Sequence, residues 1–526
     1  MRLKKTPHSR AIYFLCSSFM ALIFGLTLSS CGNNYSEAPR PPSQAFQKPQ
    51  TTFQGQLFLK EAKKHPGKSG FSLLAHGQEA FEKRMSMIRL AEKSLDLQYY
   101  IWEPDITGHL LTYELIKAAD RGVRVRILVD DLGLKGRDQI SAELDAHPNI
   151  QIRIYNPFSY RKSRMLNFLT EFDRLNHRMH NKVIVADNAV SIIGGRNIGD
   201  HYFSISEEGN FRDLDMICAG PVVRDISKVY DYFWNADWAV PIKTIFSNNY
   251  NDKHLAKSRK RLQKRIKNNP YPHPFDMSPS KLATDMRKLR SQMVWAHGSY
   301  VWNDPKELQR KAELQQGTLI KKFAHQLDKT QDVVRIDSPY FIPGESGVAR
   351  LKSLVDRGVE VRILTNSLRS NDVLPSHAGY AKYRKSLIEA GVHLYELRPD
   401  AKEGSKRSKI SFSGSKSAGL HTKAFMFDHK FVFIGSFNLD PRSAQINSEG
   451  GLFVQSEKLA QELLNYMKED ENPRNSYKVE LDSAGNLIWI TEKNGKKLTF
   501  THEPNSGLWS NIKVHFIQWL PVEDQL

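Results

Sequence analysis

Two stretches of this 526-residue chain obey one spacing rule. His180-Asn-Lys182-Val-Ile-Val-Ala-Asp187 is followed by Gly194-Gly195-Arg-Asn197, and His421-Thr-Lys423-Ala-Phe-Met-Phe-Asp428 by Gly435-Ser436-Phe-Asn438. Both read H-x-K-x4-D-x6-G-[GS]-x-N, with every gap equal. Two apolar runs around an Asp turn predict a β-hairpin. Residues two apart on a strand share a face, which turns His180 with Lys182, and His421 with Lys423, into one space. The small residue and the Asn beyond the second strand bring further donors back beside each His. A single His-x-Lys is most simply a solvated pair. Two copies at identical spacing point to catalysis.

The flanking sequence repeats as well. "SLDLQYYIW", then "HLLTYELIKAADRG", then "VRVRILVDD" alternate strand, helix and strand, and "RIDSPYFIPGESGVARLKSLVDRGVEVRILTNS" matches that order. An α/β fold with a largely parallel sheet is expected, made of two tandem α/β/α repeats related by a pseudo-two-fold axis. The repeats are expected over 57–238 and 331–473. A basic, mostly helical insertion over 239–330 separates them, containing "HLAKSRKRLQKRIKNNPYPHP". A solvated helix face, an anionic membrane or a substrate-approach surface would each account for that run. Alternating residues around Ala-Gly-Asn and Lys-Asn-Gly turns predict a small C-terminal β-meander over 474–526.

The N-terminus reads as an export signal over residues 1–30, with Arg2, Lys4, Lys5 and Arg10 ahead of an apolar run from Ala11 to Leu28. An uncleaved anchor is the alternative. Small residues directly before Cys31 resemble a bacterial lipobox, in which that Cys is lipidated and becomes the mature N-terminus. Residues 31–56, rich in Pro, Ser, Asn and Gln, read as a flexible tether. An exported lipoprotein on the periplasmic or outer-membrane face is the expected location. With Cys31 lipidated, Cys218 in an apolar strand has no partner for a disulfide. The formal net charge of +19 suits a polyanionic partner, either nucleic acid or an anionic phospholipid surface.

Two His, two Lys and two Asn gathered by pseudo-symmetry make a cationic pocket without a Cys/His or Asp cluster for a metal. Lysine charge and amide donors suit phosphoryl oxygens gaining charge in a transition state. One neutral imidazole can attack phosphorus while the other, protonated, gives its proton to the leaving alcohol. A carboxylate beyond each His could hold the Nδ1 proton. Asp213 and Glu449, which open equivalent apolar strands, are the candidates, with a strand-end surface carboxylate as the ordinary alternative.

The doubled motif resembles the phospholipase D superfamily. "LQYYIW", "RLNHRMHNK", "IIGGRNIGDHYF", "DLDMICAGPVV", "SPYFIPGESGV", "IGSFNLDPRSAQINSE" and "LPVE" are similar to its bacterial cardiolipin synthase branch, in particular the synthase C-like members. The resemblance runs from about residue 70 to the end. It implies the two-repeat fold and a ping-pong reaction through a phosphohistidine, with His180 as nucleophile and His421 as acid, then base. Lys182, Lys423, Asn197 and Asn438 would hold the phosphate; Asp187, Asp428, Gly194, Gly195, Gly435 and Ser436 would be structural. It implies no metal or other cofactor, a complete site in each monomer, and a glycerophospholipid substrate whose distal phosphodiester is cleaved. The phosphatidyl group would pass to water, giving phosphatidic acid, or to an alcohol; transfer to phosphatidylglycerol would make cardiolipin. A nuclease of the same chemistry and a non-catalytic envelope lipoprotein are the competing readings.

Overall fold

Both motif copies form the expected hairpin. In the computed structural model, β5 (Val183–Ala186) and β6 (Val190–Gly194) pair antiparallel, as do β15 (Ala424–Phe427) and β16 (Phe431–Gly435). Each turn begins with two left-handed residues, Asp187 and Asn188 (φ 53° and 51°) or Asp428 and His429 (φ 51° and 50°). Asp and Asn tolerate that conformation better than other non-glycine residues. The structure describes residue 35 and residues 37–505, apart from 135–137, 162–163, 247–248, 274, 310–317 and 402–416. The expected signal peptide, Cys31 and the chain beyond 505 lie outside the described residues.

The remaining strands of the first half are β1 (Ser69–Leu74), β2 (Ser94–Ile101), β3 (Arg124–Gly133), β4 (Ile150–Tyr155), β7 (Asn210–Arg212), β8 (Asp215–Ala219) and β9 (Ala239–Pro241). Those of the second are β10 (Val294–Trp302), β11 (Val333–Asp337), β12 (Glu360–Asn366), β13 (His393–Leu397), β14 (Ala418–Leu420), β17 (Gly450–Gln455), β18 (Ser476–Leu481), β19 (Leu487–Lys493) and β20 (Lys496–Phe500). Hydrogen-bonded neighbours run 9-4-3-2-5-6-8-1 and then 10-17-16-15-11-12-13-18-19-20. The second series repeats the first strand for strand, from β1 and β10 out to β9 and β18. The halves meet where β1 pairs antiparallel with β10, Ser69 opposite Ala296 and Phe71 opposite Val294, so one 18-stranded sheet crosses the molecule.

Three expectations are corrected here. Within the 18-stranded sheet only β2-β3-β4 and β11-β12-β13 are parallel. Strands joined by tight turns must run antiparallel, and the two motif hairpins dilute the parallel core. Second, the segment 239–330 is not an insertion throughout. Its β9 closes the first half, and its β10 and the helix Thr318–Lys329 open the second. The β-meander likewise extends the second half's sheet, because β18 pairs with β13.

Third, residues 38–56 are docked rather than a tether. Ala45 N donates to Asp231, Ser43 N to Asn235, and the Pro41 and Phe46 carbonyls accept from Arg153 and Asn188. Thr52 then caps the helix Phe53–Ala62, whose Phe58 is fully buried. A polar, proline-containing segment can dock through backbone groups with few apolar side chains.

Each half has its own apolar core, and a third joins them. Val183, Val185 and Ile193 of the first hairpin meet Ala424, Met426, Val432 and Ile434 of the second, with the buried Cys218 beside them. The central packing therefore fixes the two hairpins against each other. That positions the two His residues.

Candidate active site

His180, Asn181 and Lys182 lie just before β5, and His421 to Lys423 just before β15, in extended chain rather than in the strands themselves. Two symmetric contacts between the halves place them. Met179 forms an isolated bridge with Ser448, and His180 N donates to the Ser448 carbonyl at 2.9 Å. On the other side β7 pairs with β14, and His421 N donates to the Arg212 carbonyl at 2.8 Å. Each His is thus held beside the residue that follows its backbone partner, Glu449 or Asp213.

The carboxylates are exchanged between halves. His180 Nδ1 lies 3.0 Å from both Glu449 oxygens, and His421 Nδ1 lies 2.7 Å from Asp213 Oδ2. Each acid is buried, and each fixes a proton on Nδ1, which leaves Nε2 as the reactive nitrogen. The strand-end surface position is excluded for both.

The residue beside each acid differs for a steric reason. A Cβ on Gly195 would stand 2.1 Å from Asp213 Oδ1, so glycine makes the room. Ser436, at the equivalent position, donates its hydroxyl to Glu449 Oε2 at 2.5 Å. Glu449 has one methylene more to fix, and Ser436 adds that restraint. Gly194 and Gly435 pack against the neighbouring strand, where a Cβ would meet Leu214 O or Gly450 O at 2.6 or 2.4 Å.

Both lysines are buried and fold back, Lys182 Nζ onto the His180 carbonyl and Lys423 Nζ onto the His421 carbonyl, each at 2.6 Å. An ammonium has three donors, so two remain on each for phosphoryl oxygens. Asn197 is already engaged. Its oxygen accepts from Ile101 N, and its amide donates to the Tyr202 hydroxyl at 2.9 Å. One amide hydrogen is left to it. Asn438 is buried with no donor to its Oδ1. Asp187 and Asp428 stand away from the chemistry. Asp187 accepts from the amides of Glu92, Lys93 and Ser94, and Asp428 from those of Gln331, Asp332 and Val333, clamping the loop before β2 or β11.

Aromatic residues that spacing alone did not single out complete the pocket. Tyr100 meets His180 edge-on at 4.9 Å, and Lys182 Nζ lies 5.4 Å from its ring centre. Tyr202 and Phe211 flank His421 at 5.2 Å. Tyr100 lies within the quoted run "LQYYIW" and Tyr202 within "IIGGRNIGDHYF", so their presence in those matching segments was the available signal. Among the described residues no group of three or more His, Cys, Asp or Glu side chains is arranged to hold a metal ion.

Burial and mutual charge set the protonation. Both imidazoles are held well below the usual histidine range, chiefly by burial and then by the two lysine cations. Burial lowers Lys182 well below its usual range and Lys423 to about 8. Burial also raises Asp213 and pushes Glu449 up to about 7, against the pull of Lys423 and Lys182 respectively. A phosphodiester anion entering this pocket would offset the lysine charge. It would thereby raise the proton affinity of one imidazole as it arrives, supplying the acid the reaction needs.

The family model described as "Cardiolipin synthase, PLD-like domain" matches residues 85–234 and 323–471. The chain belongs to this phospholipase D-like family and is an enzyme of it, a phosphatidyltransferase. It is 38% identical over 461 residues to cardiolipin synthase C of Escherichia coli K12, covering 87% of this chain and 96% of that protein. It is 26% identical over 383 residues to a cardiolipin synthase of Alkalihalophilus pseudofirmus, covering 73% of this chain and 62% of that protein. The phosphatidylserine synthase structure of Haemophilus influenzae superposes with a TM-score of 0.56 at 15% identity, over 89% of this chain and 99% of that one. That likeness shows the two-repeat fold.

Proposed function

We infer that the chain moves a phosphatidyl group from a glycerophospholipid to the hydroxyl of phosphatidylglycerol, forming cardiolipin, with hydrolysis to phosphatidic acid as the minor outcome. The observation that carries this reading is the burial of both imidazoles, 8% and 5% exposed, each held by a carboxylate from the other half. Such a site attacks phosphorus in a pocket poor in water, where a lipid alcohol competes well with hydrolysis. The relatives named cardiolipin synthase support the same product.

In the reaction so read, His180 Nε2 attacks phosphorus while Glu449 holds the Nδ1 proton. The P–O bond to the head-group alcohol breaks, and His421 gives that oxygen its proton. The acceptor hydroxyl then loses its proton to His421, attacks the phosphohistidine and frees His180. Lys182 and Lys423 hold the phosphoryl oxygens, with Asn438 and the remaining hydrogen of Asn197 beside them. One chain carries the whole site and acts as a monomer. Export and lipidation at Cys31 remain part of this proposal, and mass spectrometry of the mature N-terminus tests them; an intact Met1 on membrane-bound protein would replace the lipid by a signal anchor.

The test supplies purified protein with phosphatidylglycerol, phosphatidylethanolamine, phosphatidylcholine and single-stranded DNA in parallel, with and without EDTA. Cardiolipin from phosphatidylglycerol, with one glycerol released per cardiolipin, is expected in both conditions. Phosphatidic acid as the main product would make the enzyme a hydrolase. DNA cleavage abolished by His180→Ala, without lipid turnover, would make it a nuclease.

A further inference from the structure

The helix Asp252–Asn268 packs on the first half through Leu255, Ser258 and Leu262. Each of its arginines has a partner: Arg259 bonds Asp120 at 2.5 Å, Arg261 the buried Glu143, and Arg265 His109 at 2.8 Å. Its lysines do the opposite. Lys253, Lys257, Lys260, Lys264 and Lys267 are all exposed, and none forms an ion pair among the described residues. Their spacing alternates four and three, so they fall within an arc of about 80° along about 21 Å of helix. The helix has one acid, Asp252, in its first turn.

Like charges at these spacings repel one another and destabilise a helix that faces only water. We propose that this lysine stripe docks the enzyme on an anionic phospholipid surface. The stripe carries no aromatic side chain. A single-stranded nucleic acid calls instead for a groove with stacking rings. The orientation also fits. The helix runs antiparallel to the helix Ile106–Asp120, with Arg259 at the Asp120 end and Arg265 at the His109 end. Thr107 N at the latter end donates to Asp200, three residues past Asn197, so Lys264 and Lys267 lie toward the catalytic end of the sheet. The proposal rests on the phospholipid reading above only in that such an enzyme must meet a bilayer.

The test measures binding of the full chain to phosphatidylcholine vesicles with and without 30% phosphatidylserine, a probe fraction of roughly the charge density that attracts basic segments. The apolar N-terminal run and the four cations ahead of it are common to wild type and variants, so the readout is the change in that preference between them. Replacing all five lysines by Gln should lower that preference by roughly five-fold per lysine, while replacing all five by Arg keeps it. Hydrolysis of a soluble p-nitrophenyl phosphodiester should be unchanged in both, which shows that the site is intact. Raising salt should remove the wild-type preference whether or not the Gln variant folds. A preference unchanged in the Gln variant, or one that survives high salt, overturns the proposal. Loss of binding to a single-stranded oligonucleotide, with vesicle preference intact, overturns it in favour of nucleic acid. None of these binding measurements requires lipid turnover, so failure of the cardiolipin reading remains separately visible.

Discussion

Glu449, from the second half of the chain, holds Nδ1 of His180 from the first, with both carboxylate oxygens 3.0 Å away. The converse pair joins Asp213 of the first half to His421 of the second. Each acid therefore serves the chemistry of the opposite motif, and substitutions should sort by that exchange rather than by position in sequence.

Glu449→Gln should reproduce the defect of His180, and Asp213→Asn that of His421. Loss of the orienting carboxylate should lower kcat by roughly 10⁴-fold, the scale seen when a buried acid that fixes a catalytic His is neutralised. On a p-nitrophenyl phosphodiester Glu449→Gln should lose the nitrophenol burst, whereas Asp213→Asn should retain it. A burst lost in Asp213→Asn alone would mean that the acids serve their own halves.

The two His roles separate on the same substrate, because nitrophenol leaves with little need of an acid. His421→Ala should give a burst and accumulate acid-labile label on His180. His180→Ala should give neither. Label on His421 would exchange the roles, and no label under rapid quench would remove the covalent step.

Titration of Glu449 should show in stability. Its folded value, raised to about 7, means that the native state favours the protonated acid. The stabilisation this confers is complete below the unfolded value and is lost as pH rises from about 4.5 to about 7, up to a few kcal/mol. Gln cannot ionise, so the Tm of Glu449→Gln relative to wild type should climb across that window. A constant difference would contradict it. The imidazoles act in the other direction: held low in the fold, they lose stability as pH falls below the ordinary histidine range.

The turn aspartates should act on stability instead of turnover. Asp187→Ala leaves three amides without their acceptor and should cost about 2–4 kcal/mol, with kcat per folded molecule retained. Asp428→Ala should cost less, since two of its three amides are exposed to water. Denaturant melts beside active-site titration distinguish this from a catalytic role.

Mixing His180→Ala chains with His421→Ala chains should restore no activity, because both crossed pairs form within one chain. Substantial recovery would require halves exchanged between molecules.

Much of this site was legible in the residues. Identical spacing exposed both hairpins, the Asp turns and the four basic side chains, since hairpin geometry is local. The exchange of Glu449 and Asp213 was not legible, because spacing within each repeat is blind to how the repeats face each other. That information resides in the bridge of Met179 with Ser448 and the pairing of β7 with β14. Strand β10 was obscured for a related reason. "VWAHGSYVW" follows two basic helices and is only partly buried, so it lacks the apolar run that marked β3 or β12. The docking of residues 38–56 depends on backbone carbonyls, which composition does not report.

The pairing of β1 with β10 also bears on turnover. Because the sheet continues through Ser69–Phe71 and Val294–Ala296, the halves cannot part like jaws without breaking backbone hydrogen bonds along that seam. Hinge opening is thus a poor route for a bulky substrate to reach imidazoles set this deep. Admission and release fall to the side chains and loops around the pocket, Tyr100, Tyr202 and Phe211 among them, and the gate of this enzyme is local while its frame stays shut.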